Sequence, residues 1–113
     1  MARTTKITQT GNGSTVSNSD PIPVNSQAVH TSLSFDTDGS TTGFTAQYTL
    51  ENPQDYDTVA LWVAGAAWHN GATIAAVTAI NSETITGPIT GVRLQANATG
   101  TDTGTLVVLQ VDE

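Results

Sequence analysis

Residues 43–50 read Gly-Phe-Thr-Ala-Gln-Tyr-Thr-Leu. In an extended chain Phe44, Ala46, Tyr48 and Leu50 fall on one side, and Thr45, Gln47 and Thr49 on the other. That is the period-two alternation of a half-buried strand, built from the β-branched and aromatic residues that suit a pleated surface. The stretch predicts a strand with one face in a core, and the chain around it predicts more of the same.

Before it, residues 28–35 place Val29, Thr31, Leu33 and Phe35 on one side and His30, Ser32 and Ser34 on the other. Asp36-Thr-Asp-Gly-Ser-Thr-Thr-Gly43 supplies turn residues between the two. The pair is expected to form an antiparallel hairpin. In the last third, Val92, Leu94, Ala96 and Ala98 alternate with Arg93, Gln95 and Asn97, and residues 99–104 turn the chain into an apolar run over 105–111. A second hairpin is expected there. About eight short strands with turns at regular spacing indicate an all-β, antiparallel β-sandwich of jelly-roll type. The 113 residues fit one domain with a single core.

The flanks are less regular. Residues 1–20 are dominated by Thr, Ser, Asn and Gly, with Ile7 and Val16 as the large aliphatics. They read as an extended N-terminal arm held by a neighbouring chain, or with residues 6–10 as an edge strand of the domain's own sheet. The sandwich itself is then expected over 21–113. Asp20-Pro-Ile-Pro-Val24 is an extended connector or edge strand, because alternate prolines cannot donate to a ladder. Residues 59–68, Val-Ala-Leu-Trp-Val-Ala-Gly-Ala-Ala-Trp, are apolar on both faces of any strand drawn through them. His69-Asn-Gly71 offers a turn, and 72–80 is expected to return as a partner strand. The alanine content here also permits a short helix, and periodicity does not arbitrate.

Composition narrows function. A formal charge of −7 with only three basic residues argues against a nucleic-acid backbone as partner. Charged residues are 12% of the chain, about half of the ~25% usual in soluble domains. No cysteine is present, which removes disulfides and thiolate sites. The longest apolar run is too short for a bilayer-spanning helix, and no apolar run follows Met1, so neither a membrane nor a cleavable signal is expected.

Chemistry-bearing motifs are weak. Counted from Asp36, a calcium loop would need Gly at residue 41 and an acid at residue 47, where Thr41 and Gln47 stand. Glu51, Asp55 and Asp57 share a proline-broken loop and read as solvated acids. His30 and His69 are isolated, and no serine sits in a Gly-x-Ser-x-Gly elbow. Asn12-Gly-Ser14 and Asn97-Ala-Thr99 match the glycosylation pattern but are expected by chance in such a sequence. No enzyme activity, metal or cofactor is expected. Val59, Leu61, Trp62, Val63 and Trp68 are the candidate interface residues, since tryptophan is enriched at interface anchors. A sugar-stacking platform is the competing role for the tryptophans.

Pro88-Ile-Thr-Gly-Val-Arg-Leu-Gln-Ala-Asn-Ala-Thr-Gly100, the closing Gly-Thr-Leu-Val-Val-Leu-Gln110, Thr45-Ala-Gln-Tyr-Thr-Leu-Glu-Asn-Pro53 and the intervening Trp-His-Asn segment together resemble small β-sandwich virion proteins of tailed bacteriophages. The resemblance implies a capsid decoration, or cement, role on the outer capsid surface. Its partners would be the major capsid protein and copies of itself in a homotrimer. A tail or head–tail junction component and a carbohydrate-binding β-sandwich are the alternatives.

Overall fold

The computed structural model describes residues 2–25, 28 and 30–111. Its strands are β1 (Ala2–Thr10), β2 (Ser17–Asn18), β3 (Ile22–Pro23), β4 (His30–Thr37), β5 (Phe44–Thr49), β6 (Trp68–Asn70), β7 (Asn81–Thr86), β8 (Gly91–Ala96) and β9 (Thr103–Val111). One helix, α1 (Val59–Gly65), and a 3-10 turn (Pro53–Asp55) lie between β5 and β6. The first sheet runs β1-β9-β4-β7 and the second β2-β8-β5-β6, with β3 also on β8. Among the described residues every strand pairing is antiparallel. The chain is therefore an all-β sandwich, and this strand order is that of a jelly roll.

The order corrects both expected hairpins. β4 and β5 lie in opposite sheets, and so do β8 and β9. Residues 38–43 and 97–102 are arches that cross the gap of about 10 Å between the sheets, not hairpin turns within one. Alternation fixes which face of a strand is apolar, but not which strand it pairs with.

The arches are fastened to one another at one end of the sandwich. The Asp102 carboxylate accepts from the backbone N–H of Thr41 at 2.7 Å and of Thr42 at 2.9 Å, while its own N–H donates to Thr42 Oγ1. Asp38 Oδ1 accepts from the Thr103 N–H, and the Gly11 N–H donates to the Asp102 carbonyl. The Asp-rich turn is thus a set of backbone caps. Between the sheets, Phe35 and Phe44 pack with ring centroids 5.1 Å apart. Gly104 lies against both, and a Cβ there would meet Phe35 Cε1 at 2.7 Å. Ile7, Leu33, Leu94, Leu106 and Val108 complete the centre of the core.

Residues 2–10, read as arm or edge strand, run as β1 along β9 from the Ala2–Val111 pair to the Thr10–Thr103 pair. Ile7 is buried in the core. β2 and β3 form a broken edge on β8, where Ser19 bridges the break. Its N–H donates to the Leu94 carbonyl, and its Oγ accepts from the Leu94 N–H. Prolines at 21 and 23 fit that interrupted edge.

The partner strand expected over 72–80 is not formed. Residues 71–77 instead follow the β5 edge irregularly, with Ala46 donating to the Ile74 carbonyl and Phe44 and Val77 exchanging both backbone bonds. Glu83 on β7 holds this stretch to the other sheet: its carboxylate accepts from the N–H groups of Ala72, Thr73 and Ile74. Val29 of the first expected strand lies outside the described residues.

Candidate functional site

The outer face of the second sheet carries what distinguishes this molecule. In β5 the outward side chains are Thr45, Gln47 and Thr49, and opposite them on β8 stand Gln95, Arg93 and Gly91. On β6, Asn70 pairs with Gln47 and Trp68 with Thr49. A face of this kind is normally wet. Here Gln47, Thr49 and Arg93 are buried, because residues 50–68 fold back over them.

That strap is built by local rules. Leu50, expected inward, is exposed where β5 ends. Asn52 caps the 3-10 turn by accepting from the Gln54 N–H, with Pro53 at its first position. Thr58 caps α1 by accepting from the Leu61 N–H. The run over 59–68 is consequently a helix for most of its length, and the premise of a two-faced apolar strand is corrected. The signal was present in the Thr58 cap before an alanine-rich run. It was obscured because the helix has no polar face to give it a 3.6-residue period.

Trp62 is the inward anchor of α1 and is fully buried. Its indole Nε1–H donates to the Glu51 carbonyl at 2.8 Å, and its ring covers Gly91, where a Cβ would meet Cζ2 at 2.4 Å. Trp68 packs against it with centroids 5.5 Å apart and donates from Nε1 to the Val63 carbonyl. The two tryptophans are therefore brought together, with Val63 half-buried beside them. Val59 and Leu61 point the other way and are 64% and 52% exposed. Of the five candidate interface residues, two face solvent and Trp62 faces the sheet.

Glu51 locks the strap. Its carboxylate accepts from the Tyr56 hydroxyl and, at 2.6 Å, from the Ala67 N–H. The Tyr56 bond, then the Ala67 bond, holds the Glu51 carboxyl below its ordinary range. The same bond pushes the Tyr56 hydroxyl up. Asp55 and Asp57 remain exposed. Among the described residues no group of three His, Asp or Glu is placed to hold a metal ion. His30 is exposed, and His69 is exposed beside Tyr48, ring centroids 5.5 Å apart.

At the strap's end, Trp68 lies over Arg93 with the guanidinium carbon 4.4 Å from the ring centroid. Arg93 Nε donates to Gln47 Oε1 at 2.7 Å, and Gln47 Nε2 donates to Asn70 Oδ1 at 2.8 Å. Burial lowers the Arg93 pKa from its ordinary value. A cation at the middle of β8 was visible in the sequence as one of three, but nothing there marked it as buried.

No protein-family model and no curated protein matches the chain. Among solved structures it is similar to a chain from the disulfide-linked pili of Bacillus endospore appendages, with 12% identity and a TM-score of 0.48, covering 97% of this chain and 85% of that one. It is also similar to the infectious bursal disease virus VP2 subviral particle, with 14% identity, 98% and 33% coverage, and a TM-score of 0.44. The Gx strain of that virus gives 17% identity, 96% and 32% coverage, and a TM-score of 0.42. The chain spans about a third of each virus chain.

Proposed function

We propose that the chain is a non-enzymatic structural subunit of a virion. In this reading it is a capsid decoration (cement) protein that binds the major capsid protein shell from outside and associates with copies of itself as a trimer. The observation that carries the reading is the solvent side of α1. Val59, Ala60, Leu61 and Ala64 are exposed there, without a charge among them. A rigid apolar ledge of this kind suits a permanent contact, since little ordering entropy is left to lose on binding. Trp62 beneath it fixes the ledge to the sheet. Shell stabilisation by many such contacts needs no turnover, because each bound copy favours the assembled state.

The test is to strip the protein from particles and measure their resistance to heat before and after adding it back. Restored resistance is expected with the native chain and not with the Val59→Ser, Leu61→Ser double variant. Particles equally robust without the protein would overturn the reading. A few copies confined to the tail would identify a tail component instead. Light scattering on the purified chain reports the trimer, and a monomer at micromolar concentration would refute self-association.

A further inference from the structure

Arg93 is at least nine-tenths buried, yet among the described residues no carboxylate pairs with it. Its partners are Gln47, through Nε, and the face of Trp68. Among the described residues no completely buried side-chain nitrogen or oxygen lacks a hydrogen-bond partner, so the Nη nitrogens, which have none here, keep some contact with the surface. The side chain is held from both sides: Trp68 is tied to the Val63 carbonyl, and Gln47 is tied to Asn70. The side chain with its guanidinium fork is therefore oriented in advance and shielded on its flanks, with its unpartnered Nη groups retaining some contact with solvent. A buried charge without a counter-ion is costly. Burial already disfavours the charged form of this one. An acid brought to the fork would relieve that cost and gain paired, charge-assisted hydrogen bonds.

We infer that Arg93, oriented by Gln47, Asn70 and Trp68, is a recognition site for a single carboxylate, presented by an acidic side chain of a partner protein. One guanidinium in a chain of net charge −7 matches one negative charge and is poorly suited to a phosphate-rich polymer. A uronic or other acidic sugar is disfavoured because the Trp68 ring, which would have to stack on it, is already engaged by Arg93 and Trp62. Arg and Trp together are the residue types that anchor protein interfaces. The inference needs only a protein bearing the acid, and stands apart from the apolar ledge of α1.

The test uses the whole chain labelled with nitrogen-15 and an acetylated, amidated Gly-Glu-Gly tripeptide at millimolar concentration. Its Gly-Gln-Gly counterpart, glucuronate and inorganic phosphate serve as the other arms. The Glu peptide is expected to shift the Arg93 Nε–H and Trp68 Nε1–H resonances in a saturable way, and the Gln peptide to leave them in place. Arg93→Gln abolishes the response. Arg93→Lys keeps the charge and stem but loses the fork, and is expected to weaken it about ten- to hundredfold. If Arg93→Gln does not fold, the Lys variant decides, with its thermal transition as the folding check. No shift with the Glu peptide, an undiminished shift in the Lys variant, or stronger binding of glucuronate or phosphate would each overturn the inference.

Discussion

The two sheets of the sandwich obey the same period-two rule on their inner faces and part company on their outer ones. On β4, Thr31, Leu33 and Phe35 are buried while Ser34 and Asp36 are exposed, as a half-solvated strand requires. On β5, Phe44 and Ala46 are buried inward, yet Gln47 and Thr49 are buried outward as well. The sequences alternate equally well. What differs is the next piece of chain: β4 runs straight into an arch, whereas β5 is followed by a strap that doubles back and lays two tryptophans on the strand it has just left. Burial on the second sheet's outer side is thus a property of residues 50–68, not of β5 and β8.

The sharpest way to break this comparison is at Trp62. Trp62→Ala removes the whole inward face of α1 and the bond to the Glu51 carbonyl, and leaves a cavity over Gly91. A loss of about 3–5 kcal/mol in urea unfolding is expected. Amide exchange should rise through α1 while the β4–β9 ladder stays protected. If the loss were no larger than that of a surface substitution on the first sheet, the strap would not be part of the folded core. Gly91→Ala attacks the same contact from below. Its Cβ must displace the Trp62 ring, and a loss of about 1–3 kcal/mol is expected, with a changed tryptophan fluorescence spectrum.

Those two substitutions also mark where sequence reading succeeds and stops. Leu33, Phe35, Leu94 and Leu106 could be assigned to a core from alternation, because the pleat sends every second side chain the same way whatever the partner strand. Pairing could not be assigned. A jelly roll carries the chain across the sandwich at most of its connections, and an arch such as 97–102 has the same Gly, Thr and Asp content as a hairpin turn. Its identity depends on Asp102 finding Thr41 and Thr42, far away in the chain. The site was half legible. The run 59–68 stood out as apolar all round, but its helical form hid behind the absence of a polar face. Arg93 looked like an ordinary outward residue, because burial by a later strap leaves no trace in its own strand.

Acid should separate the two sheets without any substitution. The Glu51 carboxyl titrates below its ordinary value in the folded chain, so the folded state binds fewer protons than the unfolded one across that window. Its contribution is present above the ordinary carboxylate pKa and is lost as pH falls through the lowered folded value. The strap is therefore expected to loosen on acidification, read as an increase in tryptophan solvent exposure. Glu51→Gln should bring that loosening to neutral pH and flatten its pH dependence. An unchanged acid response in Glu51→Gln would show that the clamp does not govern the strap.

The smallest effect is expected on the bare sheet. Val107 and Leu109 of β9 project from the first sheet's outer face, Val107 between Lys6 and Ser34 and Leu109 between Thr4 and Ser32, with no strap above them, and Leu109 is 36% exposed. They sit on a sheet that already has its core on the other side. Val107 is half-buried, and Val107→Thr keeps the β-branched shape and the strand preference while exchanging one methyl for a hydroxyl that solvent still reaches. A change within about 0.5 kcal/mol in urea unfolding is expected, as for surface positions away from any special feature. The same exchange at a buried, outward position of the second sheet, Thr49→Val, tests the converse. Thr49 Oγ1 accepts from the Glu51 N–H at 3.2 Å, so the swap keeps the shape yet strips the N–H of Glu51, the strap's clamp, of a partner. A loss of about 1–3 kcal/mol is expected there. Equal effects at the two positions would mean that the covered face is as wet as the open one, and that the difference between the two sheets is one of appearance only.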